Sequence, residues 1–139
     1  MEKKLTKLQA FNAMVKFLEI YFEQTHSDDA GSLLGDTQLL PGGGTWDPAA
    51  WRDWTRSVDT FLNETSKIHQ EKLTMTQAFN AMRNFFEGYC KRTNSDDFRT
   101  LLSGMDFLSD GGTVEPAAWK NWTKCVNDIQ NKNSESTAT

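Results

Sequence analysis

The chain has 139 residues, enough for one domain with a real core or for two very small ones. Aromatic residues make up 12% of it and charged residues 24%, a balance that excludes disorder, and no apolar run reaches the length of a membrane span. A net charge of -4 at pH 7 argues against a general nucleic-acid binder, which needs a basic stripe, and leaves a basic protein partner open.

Behind the charges of Glu2, Lys3 and Lys4 no apolar stretch of signal-peptide length follows, so no export signal is read. The first element opens with Thr6-Lys7-Leu8-Gln9, a capping box. Ala10, Phe11, Met14, Phe17, Leu18 and Tyr21 then share one face at about 100° per residue, which predicts a helix that breaks at Thr25-His26. Ser27 is the expected cap of a second helix, with Asp28 and Asp29 in the first turn where the dipole favours negative charge. Leu33, Leu34 and then Leu39 or Leu40 supply its apolar contacts, and Pro41-Gly42-Gly43-Gly44 ends it. Asp47-Pro48 starts a third helix, an acidic cap followed by Pro at N1. Trp46 and Trp51 have the spacing of a hydrophobic staple, and Trp51, Trp54, Val58 and Phe61 continue one face. Residues 62–71 contain neither Gly nor Pro and read as a helical extension or a short polar linker.

The pattern then returns at a constant offset of 68. Gln9-Ala10-Phe11-Asn12-Ala13-Met14 recurs as Gln77-Ala78-Phe79-Asn80-Ala81-Met82, Ser27-Asp28-Asp29 as Ser95-Asp96-Asp97, and Pro48-Ala49-Ala50-Trp51 as Pro116-Ala117-Ala118-Trp119. From Lys4/Lys72 to Phe61/Ile129, 29 of 58 pairs are identical, which reads as a tandem duplication. The expected fold is all-α, about six helices: one three-helix repeat over residues 4–66, a linker or extension over 67–71, a second repeat over 72–132, and a polar tail over 133–139. A lone 60-residue unit is marginal, so the two should pack as one compact domain, either about a pseudo-twofold or as a solenoid-like stack.

No constellation in the chain points to catalysis, a cofactor or a metal. His26 is matched by Asn94, and His69 lies in the linker. Cys90 matches Phe22 and Cys125 matches Ser57; two thiols are too few for a disulfide scaffold and read as core fillers in a reducing cytoplasm. Ser-Asp-Asp is explained by helix capping and lacks the ligand spacing of a calcium loop. The glycines at 42–44 lack the Lys-Ser/Thr ending of a phosphate loop. Asn12 and Glu19 recur as Asn80 and Glu87, which incomplete divergence explains as well as a shared contact surface does.

Charge separates the halves. Residues 4–66 hold five basic and nine acidic side chains, whereas residues 72–132 hold eight basic and seven acidic. The acidic surface of the first half (Glu19, Glu23, Asp28, Asp29, Asp36, Asp53 and Asp59) is the candidate site for a basic partner. Trp46, for which the second half has Val114, is the candidate anchor.

Gln-Ala-Phe-Asn-Ala-Met, Ser-Asp-Asp, Leu-Leu, the Gly-rich turn with Thr, and Asp-Pro-Ala-Ala-Trp together resemble the immunity proteins of contact-dependent growth-inhibition and related polymorphic toxin systems of bacteria. The resemblance covers both halves and includes no catalytic or metal motif. It implies a cytoplasmic, non-enzymatic protein that binds one cognate toxin domain, often a nuclease, and blocks its active site. An acidic helical surface could fill a basic nuclease cleft as a phosphate mimic. The expected partner is therefore a basic toxin domain, with no direct nucleic acid, membrane or cofactor, and with the chain acting as a monomer. Two readings from other classes stand beside it. One is a duplicated helical adaptor for an unrelated protein, and the other is an enzyme or small-ligand binder with a pocket lined by Trp51, Trp54, Trp119 and Trp122.

Overall fold

Local capping chemistry sets the start of each half. The Thr6 hydroxyl accepts from the Gln9 N–H at 3.0 Å while the Gln9 side chain accepts from the Thr6 N–H at 2.9 Å; Thr74 and Gln77 repeat the box at 3.1 and 2.9 Å. The computed structural model describes residues 4–62 and 72–138, with side chains to Asn131. Its elements are β1 (Lys4–Thr6), α1 (Lys7–Thr25), α2 (Asp28–Asp36), α3 (Pro48–Phe61), β2 (Lys72–Thr74), α4 (Met75–Thr93), α5 (Asp96–Gly104) and α6 (Pro116–Ala138). His26 and Asn94 end α1 and α4 in the left-handed region at φ 54° and 56°, so the break read at Thr25-His26 is a left-handed cap.

The architecture is mostly helical, with one feature that the periodicity did not signal. β1 and β2 pair antiparallel, Leu5 opposite Leu73, Lys4 opposite Thr74 and Thr6 opposite Lys72. Leu73 lies 68 residues after Leu5, so equivalent residues of the repeat face each other across the ribbon. An antiparallel pairing of equivalents requires a local two-fold axis, and this selects the pseudo-twofold arrangement over a stacked solenoid. Both leucines are fully buried.

The helices obey the same symmetry. α1 packs chiefly on α6, and α3 on α4, so the last helix of each half lies against the first helix of the other. Trp54 is fully buried between Phe11 of its own half and Phe85 of the other, each ring centroid 5.9 Å away. Trp122 sits likewise between Phe79 at 6.0 Å and Phe17 at 6.5 Å. Each indole N–H donates to the first-turn carbonyl of its own half's long helix, Trp54 to Lys7 at 3.2 Å and Trp122 to Met75 at 3.1 Å. A polar seam lies where the short helices begin. Ser27 accepts from the Ala30 N–H at 3.2 Å and donates to Asp97 at 2.6 Å, and Ser95 accepts from Phe98 at 3.2 Å and donates to Asp29 at 2.5 Å. Two helix N-termini thus exchange carboxylates, each acid lying near the positive end of the opposite dipole. The Tyr21 and Tyr89 hydroxyls add reciprocal bonds to the Asp97 and Asp29 carbonyls at 3.1 and 3.3 Å.

Two sequence expectations need correction. α2 stops at Asp36 rather than at the Pro-Gly run, because the Thr37 N–H closes on the Leu33 carbonyl at 3.0 Å and the Thr37 hydroxyl on that of Leu34 at 3.1 Å. The following residues form a tight hairpin: Leu39 bridges to Thr45, Leu40 N–H donates to Gly44 at 3.0 Å, and Gly43 turns the chain at φ 96°. Leu39 and Leu40 are therefore exposed rather than core residues. α3 ends at Phe61, with Leu62 extended. The expected linker 67–71 and His69 lie outside the described residues, and the backbone of α6 takes in residues 133–138 of the expected tail.

Candidate functional site

Extended backbone before α3 sends neighbouring side chains to opposite sides. Thr45 turns inward and is buried, its hydroxyl donating to the Asp47 carbonyl at 2.6 Å and accepting from the Trp51 N–H at 3.1 Å. Trp46 therefore turns outward and is 68% exposed. Its backbone is held on both sides: the Trp46 N–H donates to Gln38 at 2.7 Å, and the Asp47 N–H to Asp36 at 3.1 Å. Trp51 meanwhile packs edge-on against Phe11 at 5.1 Å. With so much of its ring in solvent, Trp46 contributes little to the staple read from its spacing.

Three carboxylates come from the same α2–α3 segment. Asp36 ends α2, Asp47 caps α3 by accepting from the Ala49 N–H at 3.0 Å, and Asp53 lies farther along α3. Arg92 of α4 reaches Asp53 at 3.0 Å with its guanidinium 5.9 Å from the Tyr89 ring centre, and the exposed Arg56 lies 3.8 Å from Asp53. Burial, reinforced by the charge of Asp47, pushes the Asp36 carboxyl above its ordinary range, and Arg92 offsets this only in part. The surroundings of Asp36 thus disfavour its charged form.

Of the proposed partner-binding residues, the fold brings Asp36 and Asp53 to Arg92, and Trp46 lies exposed in the connection between α2 and α3. Glu19 and Glu23 are exposed elsewhere on α1, lining a hollow of about 190 Å³ with Lys16, Lys124 and Asp128. The Asp29 carboxylate is engaged across the seam by Ser95. Asp28 and Asp59 are exposed on α2 and α3. Asp47, read in the sequence only as a cap, belongs to the cluster, as does Arg92; neither position could be placed there without knowing that α3 crosses onto α4.

The other candidate groups fall in place around the core. Trp54 and Trp122 are fully buried. A hollow of about 780 Å³ opens on the second half beside α6, lined by Trp119 with Leu108, Lys120 and Lys124. A second hollow, about 360 Å³, lies at the seam of α1 with α5 and α6. His26 is exposed at its helix cap. Cys90 and Cys125 are buried; burial, with Asp128 adding to it, pushes the Cys125 thiol up to about 11. Among the described residues no three His, Cys, Asp or Glu side chains converge as metal ligands, and no helix is long and apolar enough to cross a membrane. Comparison of the chain with protein-family models, with curated proteins and with solved structures gives no match.

Proposed function

We propose that this chain is an immunity-type inhibitor, a cytoplasmic protein without chemistry of its own that binds a basic toxin domain, of nuclease type, and covers its substrate surface. The observation that carries this reading is the outward-facing Trp46, held by backbone bonds in the same α2–α3 segment that carries Asp36, Asp47 and Asp53. An aromatic side chain whose backbone is already fixed loses little entropy on docking, and such anchors supply much of the energy of interfaces. The carboxylates of this segment fit a surface built to hold phosphates, and steer it on approach. Asp36 supports the same reading, because a carboxyl whose surroundings disfavour its charge gains from a cation brought by a partner. The pattern shared with immunity proteins supplies the toxin as that partner. The test mixes the full chain with the toxin encoded beside its gene. A stoichiometric complex, together with survival of cells expressing both, supports the proposal; no complex and no protection contradict it.

A further inference from the structure

The pseudo-twofold axis makes two copies of one seam, and they are filled differently. In one copy the half-exposed Arg92 lies over the seam: it pairs with Asp53 at 3.0 Å, faces the Tyr89 ring, and its guanidinium comes within 3.6 Å of where a Cβ on Gly88 would stand. The positions equivalent to Arg92, Asp53, Tyr89, Asp36, Asp47 and Gly88 are Gln24, Asn121, Tyr21, Gly104, Glu115 and Ile20. All six line the hollow of about 360 Å³ in the other copy of the seam. That hollow has an apolar floor, and Glu115 is its only lining residue of full charge.

We propose that this hollow receives an arginine side chain carried by the protein's partner. The molecule itself shows what this seam pairs with, because its own Arg92 lies over the equivalent place and bonds Asp53. Where the internal arginine is replaced by the shorter, neutral Gln24, the tyrosine face and one carboxylate remain and the space is open. Ile20 in place of Gly88 fills the room the Arg92 guanidinium uses over its own helix and presents an apolar wall to an aliphatic stem. The head would then meet Glu115 and the amide oxygens of Gln24 and Asn121, acceptors that suit the five fixed donors of a guanidinium better than the compact ammonium of lysine. The site is distinct from the Trp46 face, and its test does not require the toxin.

The experiment titrates the full-length protein with N-acetylarginine amide and follows backbone amide shifts by NMR, with the lysine and norleucine amides as comparators. The result expected is saturable shifts centred on Ile20, Gly104 and Ala117 with the arginine compound, at least about threefold weaker binding of the lysine compound, and none of norleucine. Glu115→Gln should weaken arginine about fivefold. The double variant Gln24→Arg, Asn121→Asp, which restores an internal pair, should abolish binding; should it fail to fold, Glu115→Gln alone decides. Equal binding of norleucine or lysine, shifts away from the seam, or unchanged affinity in Glu115→Gln would each overturn the proposal.

Discussion

Replacing Trp54 by Phe tests whether the two halves fold as one unit. The substitution removes an indole N–H bond to Lys7, worth about 1 kcal/mol. It also takes roughly 40 Å² of apolar surface from a fully buried site, about another 1 kcal/mol. A residual cavity of some 30 Å³ adds about 0.7 kcal/mol. The total of about 2–3 kcal/mol corresponds to a drop in melting temperature of roughly 6–9 °C for a chain of this size. Trp122→Phe should cost a similar amount, since its bond to Met75 and its ring contacts repeat those of Trp54. Each indole touches a phenylalanine of the opposite half, Phe85 or Phe17, so either variant should shift one single transition. Thermal unfolding followed by far-UV circular dichroism and by tryptophan fluorescence is the assay. Two separate transitions, only one of them moved by each variant, would refute the reciprocal packing, and a loss below about 0.5 kcal/mol in both variants would refute the energetics.

Asp36→Asn should raise the melting temperature at pH 7. The folded protein holds the Asp36 proton more tightly than the unfolded chain does, so its ionised form costs stability above the folded pKa. That cost disappears as the pH falls toward the ordinary value of 3.8, where the two melting curves should converge; a stability gain that persists there would point to another cause. In partner binding the same variant should be weaker, a trade of stability against function measurable by calorimetry. At high pH the unfolded thiol of residue 125 ionises near 9.0 but the folded one near 11, so stability should fall as pH rises between these values, with Tyr21 and Tyr89, both raised by burial, adding to the loss above 10. Urea midpoints against pH should show the decline, shallower in Cys125→Ala; an identical slope in that variant would exclude the thiol as its source.

What could be read in advance was local. Thr6 with Gln9, Ser27 ahead of two aspartates, and Asp47-Pro48 each fix a helix start through contacts within a few residues, and all three caps form. The end of α2 was misjudged because Leu39 and Leu40 look like a continuing apolar stripe, whereas Thr37 closes the helix with bonds that no periodicity reveals. The ribbon of Leu5 and Leu73 joins three-residue segments 68 positions apart, too short for an alternation signal. Spacing alone left Trp46 either staple or anchor, and the inward hydroxyl of Thr45 decides its direction. Of the acidic residues, composition gave the surplus but not its arrangement. Asp29 is engaged across the polar seam, while Asp53 reaches Arg92, which also acts on Asp36, only because the first half's third helix lies on α4.

The most direct measurement is the affinity of Trp46→Ala for the toxin domain proposed as partner, beside that of Asp59→Asn as a control on α3. The variant should remain folded, since the ring it removes is largely in solvent. Isothermal titration should show a loss of about thirtyfold or more for Trp46→Ala, the cost of truncating an interface anchor, and little change for Asp59→Asn. A Trp46→Ala protein that binds its toxin as tightly as the parent would contradict the assignment of this face to the partner.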